Sequence, residues 1–256
     1  MSSIPIKTQQ EIQIMRQGGK ILAKVLGELK NFVKPGIMTK ELDKLACDLV
    51  LKMGGFPSFK NYKAKQEKQP FLSGLCTCIN EQIVHCAPGD RKLKNKDLIS
   101  LDLGVLCKGF HTDAAITVPV GKVSNEACRL LRAGKKALKR ALRKARPGNT
   151  IGDIGNTIER YVKSQGFYVI KELCGHGIGK DLHEPPQILN YGKRHKGEVL
   201  KPGMALAIEP MICIGDAKAV KTQDEFGYKT SDNSLAVHFE HTIVIRENKC
   251  QILTQI

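Results

Sequence analysis

The sequence predicts an α+β fold in which antiparallel sheets are flanked by helices. Apolar residues at helical spacing occur in two groups, one near the N-terminus and one in the middle of the chain. Apolar strand-like runs separated by short turns follow each group. Grouped helices and hairpins, rather than a strict alternation of strands with helices, are typical of antiparallel pairing.

Helices are predicted over 8–32, 39–53, 124–145 and 150–165, and strands over 75–80, 98–106, 110–119, 167–172, 204–214 and 236–246. Thr39 and Thr150 each follow a Pro-Gly pair, and both are predicted N-caps because a threonine hydroxyl can accept from a free backbone N–H. Pro35 and Pro147 are 112 residues apart, so the halves 1–122 and 123–256 echo each other. Either the halves arose by duplication, or two unrelated helices share a common start signal.

The composition indicates a basic globular protein. The chain has 256 residues, with 41 Lys and Arg against 25 Asp and Glu, and a formal charge of +16. Such a charge favours a polyanion, whether ribosomal RNA, other nucleic acid or an anionic membrane surface. No apolar run is long enough for a transmembrane helix, and the N-terminus does not read as a secretory signal. Nine cysteines without a C-x-x-C pair predict a reduced protein of the cytoplasm, with neither a disulfide framework nor a structural zinc site.

The most informative feature is a set of acidic residues inside apolar strand segments. Asp102 and Asp113 lie in neighbouring predicted strands. A two-residue turn at Lys108 and Gly109 would put Asp113 opposite Gly104, two residues from Asp102. Since side chains alternate between the faces of a strand, both carboxylates are predicted on one face, about 5–8 Å apart.

Glu209 and Glu240 interrupt two further apolar runs. Four ionised carboxylates in apolar surroundings are costly unless they face water, pair with Lys or Arg, or bind cations. The apolar flanks disfavour water, and these strand cores contain no Lys or Arg apart from Lys108 at a turn. Metal ions are therefore the expected partners, and two divalent ions would neutralise four carboxylates.

Histidines supply the remaining candidate ligands. His176 lies between two glycines, which leave space for close approach, and it is the predicted imidazole ligand. Oxygen-rich ligation with one imidazole suits Mn, Fe or Co better than it suits a thiolate zinc site. His85, His111 and His183, each considered by itself, are more often hydrogen-bonded structural histidines.

Taken together, these residues resemble the methionine aminopeptidase family over nearly the whole chain. The resemblance is carried by the Gly-His-Gly-Ile-Gly and Glu-Pro motifs and by the spacing of Asp102, Asp113, His176, Glu209 and Glu240. It implies the pita-bread fold, as a single pseudo-twofold catalytic domain over 1–256. Only 26 residues separate His183 from Glu209, too few for the helical insertion of type II enzymes, so the chain resembles type I.

The resemblance also implies a role for each residue. The expected metal ligands are Asp102, Asp113, His176, Glu209 and Glu240. Asp113 and Glu240 are expected to bridge two divalent ions, which are Co, Mn or Fe, with Zn as an alternative. A hydroxide at this dinuclear site is expected to attack the first peptide carbonyl while Glu209 shuttles a proton. His85 and His183 are the expected catalytic residues that also contact the substrate.

The methionine pocket departs from the family pattern. Its expected members are Tyr62, Phe71, Cys76, Leu182 and Phe226, with Tyr228 as an alternative to Phe226. Cys86 and Ala87 stand where the family usually has Gly-Ile, and 63–68 is an inserted run. These changes affect the expected pocket shape more than the expected metal ligands.

The expected substrates are nascent polypeptide N-termini whose second residue is small. The enzyme is expected to be a monomer without membrane contact. The predicted helix over 124–145 has a basic polar face, which is either a solvated surface or a contact for ribosomal RNA. That face consists of Arg129, Arg132, Lys135, Lys136, Lys139, Arg140, Arg143 and Lys144.

Two other functions are compatible with the same scaffold. A non-catalytic RNA- or ribosome-binding protein would be expected to have lost metal ligands, whereas all five are present here. A short relative of prolidase would cleave Xaa-Pro instead of releasing methionine.

Overall fold

The computed structural model describes residues 4–63 and 68–255. Its helices are α1 (Gln9–Phe32), α2 (Thr39–Lys52), α3 (Asn125–Lys144) and α4 (Ile151–Ser164). Its strands are β1 (Phe56–Pro57), β2 (Leu75–Ile79), β3 (Gln82–Val84), β4 (Leu98–Cys107), β5 (Phe110–Pro119), β6 (Tyr168–Val169), β7 (Cys174–Gly177), β8 (Glu184–Leu189), β9 (Ala205–Ile208), β10 (Met211–Cys213), β11 (Ala219–Lys221), β12 (Tyr228–Thr230), β13 (Ala236–His238), β14 (His241–Ile245) and β15 (Cys250–Ile252). All strand pairs in the described part are antiparallel, which confirms the α+β prediction. Of the inserted run, 64–67 lies outside the described residues.

The two predicted threonine caps have different outcomes. Thr150 caps α4, since its hydroxyl accepts from the backbone N–H of Asp153. The Thr39 prediction is wrong, because Thr39 is already the first residue of α2. The Thr39 hydroxyl instead donates to the carbonyl of Gly89 and accepts from its N–H, which ties the start of α2 to a loop.

The β4–β5 hairpin has the predicted register. Cys107 pairs with Phe110, and Gly104 pairs with Asp113. Lys108 and Gly109 both have positive φ, 47° and 82°, as a two-residue type I′ turn requires. This turn sets the register, and the register brings Asp102 and Asp113 to one face of the sheet.

The predicted strands over 204–214 and 236–246 are each broken in two. Glu209 and Pro210 separate β9 from β10, and Phe239 and Glu240 separate β13 from β14. At the breaks the chain passes from a five-stranded sheet containing β9 and β14 to a three-stranded sheet containing β10 and β13. Proline has no backbone N–H to continue a ladder, which is one physical reason for the interruption.

The two broken strands nevertheless keep one common register. Ile208 pairs with His241 on one side of the break, and Met211 pairs with His238 on the other. Continuing this register across the break sets Glu209 opposite Glu240. The break therefore brings the two glutamates together at the junction between two sheets.

Helices cover the sheets and enclose the core. Helix α1 packs on β4 and β5, and α2 packs against α1, β1 and β2. Helix α3 packs on α4, β9, β10 and β13, while α4 also contacts β8. In the described part of the chain, no helix combines the length and the hydropathy that crossing a membrane would need.

Candidate metal centre

Five predicted ligands converge beside strand β5. Strand β5 contacts β9, β13 and β14 there, and β9 pairs with β14. Ligand atoms of Asp113, His176 and Glu240 all lie within 4.8 Å of one another. His176 Nε2 is 3.6 Å from Glu209 Oε1, and the carboxyl groups of Asp102 and Asp113 are within hydrogen-bonding reach. The structure thus assembles all five side chains around one small space.

The four carboxyl groups in this space are buried and incompletely paired. Their residues are 2–8% exposed. One oxygen each of Asp102, Asp113 and Glu240 has no hydrogen-bond partner within the described part of the chain. Among the described residues, no Lys or Arg forms an ion pair with these four acids. Unpaired buried carboxylates are costly, so this site suits cations.

Burial has a large effect on the acids when no cation is present. Burial raises the pKa of Asp113 to about 7, although hydrogen bonds from Asp102 and Ala114 oppose the rise. Burial, followed by repulsion from neighbouring carboxylates, raises the pKa of Asp102, Glu209 and Glu240 well above the ordinary range. A bound cation would reverse these shifts, because it favours the ionised carboxylate.

The hydrogen bonding of His176 provides an independent test of whether a cation fits. His176 Nδ1 lies 2.8 Å from the carbonyl oxygen of Gly177, and since a carbonyl cannot donate, Nδ1 carries the proton. The neutral ring therefore has a bare Nε2, which faces Glu209 Oε1 at 3.6 Å. Two electron-rich atoms face each other at this distance, and a metal ion between them satisfies both.

Glycines on both sides of His176 allow its strand to pack closely. A Cβ at Gly175 would lie 2.3 Å from the carbonyl oxygen of Ala207, and one at Gly177 would lie 2.1 Å from that of Pro185. Larger residues at either position would push β7 away from β9 or from the turn into β8. The Gly-His-Gly motif therefore reflects close backbone packing that brings the imidazole into the site.

His85 and His183 line the same space. The ring centroids of His183 and His176 are 4.4 Å apart, and His183 Nδ1 is 2.7 Å from the Tyr62 hydroxyl. His85 has a positive φ of 61°, an uncommon conformation for a residue with a side chain. Burial lowers the pKa of both imidazoles to about 4, with further lowering by His183 for His85 and by His111 for His183. Both rings are therefore neutral at pH 7.

An apolar cluster lies beside the acids. It contains the five expected pocket members Tyr62, Phe71, Cys76, Leu182 and Phe226. Phe71 and Phe226 stack edge to face with centroids 5.6 Å apart, and Cys76 pairs with Asp102 across two strands. Tyr228, the alternative to Phe226, stacks against His85 instead. His111 hydrogen-bonds Ser58 through Nδ1.

The sequence interpretation missed two features of the site. His238 is 1% exposed and directs Nε2 toward Glu209 and Glu240. It precedes Glu240 by two residues, so strand alternation could have identified it. The second feature is a buried ion pair between Lys7 and Glu184, at the base of the turn that carries Leu182 and His183. No sequence signal links these two residues, which are 177 positions apart.

Comparison with known proteins agrees with this arrangement. Residues 13–247 match metallopeptidase family M24. Methionine aminopeptidase 1 of Bacillus subtilis is 44% identical over 250 residues, covering 98% of both chains. The methionine aminopeptidase of Escherichia coli strain K12 is 39% identical over 254 residues, covering 98% of this chain and 94% of that protein.

Solved structures identify the fold. The methionine aminopeptidase of Thermotoga maritima superposes with a TM-score of 0.95 at 38% identity, covering 99% of this chain and 100% of that one. Prolidase from Pyrococcus furiosus shares the fold, with a TM-score of 0.76 at 24% identity over 98% of this chain and 65% of that one. The predicted pita-bread fold is confirmed.

Proposed function

This chain belongs to metallopeptidase family M24, and we propose that it removes the N-terminal methionine from nascent proteins and peptides. It is a metal-dependent aminopeptidase, and its relatives of 39–44% identity over nearly the full chain bear the name methionine aminopeptidase. The single observation that carries the proposal is the convergence of buried, incompletely paired carboxylates with the bare Nε2 of His176.

We assign the metal ions to Asp102, Asp113, His176, Glu209 and Glu240. Two divalent ions are proposed because they would neutralise the four carboxylates, and Asp113 and Glu240, whose ligand atoms lie within 4.8 Å of each other and of His176, would help to hold them. The donor set of oxygens with one imidazole favours Co, Mn or Fe over Zn. When bound, such ions supply Lewis acidity and make water nucleophilic at neutral pH.

The protein side chains then act on the substrate and its protons. Glu209 is the proposed proton shuttle, since its carboxylate lies beside His176 in the site where the ions would make water nucleophilic. If the Tyr62 hydroxyl donates to His183 Nδ1, then His183 Nε2 carries a proton that it can donate to a developing oxyanion. His85 is proposed to donate near the scissile amide and to assist the leaving nitrogen.

The apolar cluster beside the acids is the proposed methionine pocket. Its members bury an unbranched thioether well, because aromatic rings and aliphatic chains make favourable contacts with sulfur. A small space beyond the pocket would restrict the second residue to small types. All proposed ligands come from one chain, so we propose a monomer with one catalytic domain that acts in the cytoplasm. The division of this domain into two similar halves, 1–122 and 123–256, stays a prediction.

The direct test is methionine release from Met-Ala-Ser. The protein is stripped with a chelator, and Co²⁺, Mn²⁺, Fe²⁺ or Zn²⁺ is added back. We expect no release without metal and recovery with at least one of the first three ions. Asp113→Asn is expected to lose metal and activity together. Cleavage of Ala-Pro with no release from Met-Ala-Ser would favour a prolidase-like function instead.

We also propose that helix α3 contacts ribosomal RNA through its basic face. Four of its eight basic residues, Arg129, Lys135, Lys136 and Arg140, are exposed and place their cationic groups over aromatic rings. These contacts orient the charged groups on the surface of the helix. Lys139 and Arg143 are exposed, and no acid in the described residues forms an ion pair with either one. Phosphate contacts of this kind weaken steeply with salt.

Charge reversal tests this contact. A variant with Lys139→Glu, Arg140→Glu and Arg143→Glu should co-sediment less with ribosomes and show a shallower salt dependence than the original chain. The matched control reverses three exposed lysines of α1, Lys20, Lys24 and Lys30. Equal loss in both variants would attribute binding to net charge alone, and unchanged binding would leave α3 a solvated surface.

A further inference from the structure

His238 is a buried histidine whose ring nitrogens have no hydrogen-bond partner outside the metal centre among the described residues. It is 1% exposed, and neither Nδ1 nor Nε2 makes a hydrogen bond within standard geometry. Nε2 lies 3.4 Å from Glu209 Oε2 and 3.8 Å from Glu240 Oε2. A buried polar ring without partners is costly, so its placement between two carboxylates calls for a role there.

Glu209 is thereby flanked by two imidazoles. His176 Nε2 faces its Oε1, and His238 Nε2 faces its Oε2. The two rings differ in hydrogen bonding, because His176 Nδ1 donates to the Gly177 carbonyl whereas His238 Nδ1 has no acceptor. A neutral His238 with its proton on Nδ1 would bury an unpaired donor, which is rarer in proteins than a buried acceptor without a partner. The proton therefore belongs on Nε2.

The main chain at His238 is held by one threonine. The backbone N–H of His238 donates to Thr117 Oγ1, and Thr117 Oγ1 lies 2.8 Å from the His238 carbonyl oxygen. Ser100 Oγ is a further neighbour, 2.7 Å from Thr117 Oγ1. These contacts join β13 to β4 and β5, the hairpin that carries Asp102 and Asp113. The ring is consequently presented to the carboxylates from a fixed backbone.

We propose that His238 is a positioning residue that directs its Nε2–H at Glu209 Oε2, with Glu240 Oε2 next to it, and thereby holds both carboxylates in the arrangement that binds metal. The inference rests on the proposed function only in taking these two glutamates as metal ligands. Residues that orient metal ligands typically change metal affinity by about 10–100-fold when they are removed. His238 is a residue of this kind and not itself a metal ligand.

The test compares His238→Leu, which removes the donor, with His238→Gln, which keeps an N–H donor on a side chain of similar reach. The matched control is His241→Leu at the start of β14, three residues further along the chain, since His241 Nδ1 bonds Thr254 instead of the acids. Co²⁺ affinity of the chelator-stripped proteins is measured by titration calorimetry, and the visible Co²⁺ spectrum reports its ligands. We expect about tenfold weaker or worse binding for His238→Leu, near-original affinity and spectrum for His238→Gln, and unchanged affinity for His241→Leu.

Other outcomes would overturn the proposal. Unchanged Co²⁺ affinity in His238→Leu would show that the ring does not orient the ligands. Lost affinity and an altered spectrum in His238→Gln would make His238 a direct metal ligand. If His238→Leu does not fold, nitrogen NMR of the Zn²⁺-loaded original chain decides, since a proton on Nδ1 contradicts the proposal. Failure to release methionine from a Co²⁺-loaded original chain would reject the proposed function and leave this test intact.

Discussion

The metal-free protein is predicted to lose stability as the pH rises above about 7.5, and divalent ions are predicted to restore it. Burial raises the pKa of Asp113 from 3.8 to about 7, and the other three acids shift in the same direction. A carboxyl group whose pKa is raised by folding binds a proton in the native state that the unfolded chain has released. Its contribution is complete below the unfolded pKa and is lost as the pH passes through the folded pKa.

The histidines of the site limit the useful pH range. Burial lowers the pKa of His176 and His238 to about 3 and that of His85 and His183 to about 4. Each of these histidines affects stability in the opposite direction from the acids, since stability falls when the pH drops below about 6.5, the pKa of a histidine in the unfolded chain. Acids and histidines thus oppose each other between about pH 4 and 7.5, since the unfolded histidines are still half protonated at about pH 6.5. Above about pH 7.5 the unfolded histidines are neutral, and the carboxyl groups act alone until thiols titrate near about pH 8.5.

The size of the effect follows from the shifts. Asp113 alone accounts for about 4 kcal/mol over its full range, since each pKa unit corresponds to about 1.4 kcal/mol. Asp113 has released most of its proton by about pH 7.5. A carboxyl group that stays protonated in the folded chain and is ionised in the unfolded chain costs about 0.7 kcal/mol between pH 7.5 and 8, so three such groups together would cost about 2 kcal/mol, and a chain of this size then melts about 4–8 °C lower. Metal binding expels the protons, so its stabilisation should be larger at pH 8 than at pH 6.5.

The assay is calorimetric or fluorescence melting of chelator-stripped protein from pH 7.5 to 8, with and without Co²⁺. Glu240→Gln removes one of the buried acids, so it should melt higher than the original chain without metal at pH 8 and gain less from Co²⁺. Glu28→Gln, which removes an exposed carboxylate on α1, is the control and should follow the original chain. A metal-free melting temperature that is constant or rises over this range would refute the reasoning.

Three further predictions concern the groups around the centre. Lys7→Met leaves Glu184 buried without its ion-pair partner and should lower the free energy of unfolding by about 3–5 kcal/mol in urea titrations. A loss below about 1 kcal/mol would mean that the backbone N–H groups of Lys180 and Asp181 satisfy the Glu184 carboxylate by themselves. Tyr62→Phe removes the partner of His183 Nδ1 and should lower kcat about tenfold with little change in KM in steady-state peptide assays, whereas a change confined to KM would assign Tyr62 to the pocket only. Gly175→Ala brings a Cβ within 2.3 Å of the Ala207 carbonyl and should lower both the melting temperature and the Co²⁺ stoichiometry. Gly27→Ala on α1, with open space around it, should lower neither, since alanine favours a helix more than glycine does.

Local rules were sufficient to predict one half of the candidate site. The Lys108-Gly109 turn determines the register of a single hairpin, so the relation between Asp102 and Asp113 follows from neighbouring residues alone. The helices α1, α3 and α4 were also predicted within one or two residues, because their apolar spacing and caps are local signals. Thr39 was mispredicted because its hydroxyl bonds Gly89, a residue 50 positions away.

The other half depends on pairings between distant segments. Apolar runs on both sides of Glu209 and Glu240 read as continuous strands, yet each run serves two different sheets. Which sheet a strand joins depends on partners far along the chain, and hydropathy does not encode that choice. The pairing of Lys7 with Glu184 is hidden for the same reason.

The junction between the two sheets also explains why the strands break where they do. The common register sets Glu209 opposite Glu240, and like charges directly opposite each other destabilise a strand pair. A chain selected for stability alone would replace at least one of them, and Glu240→Gln is expected to stabilise the metal-free protein for that reason. Both acids become favourable together only when cations lie between them and the hairpin carrying Asp113. The conflict between local strand preference and charge is thus confined to the residues that bind metal, which is where a functional site is expected to depart from the rules that govern the rest of the fold.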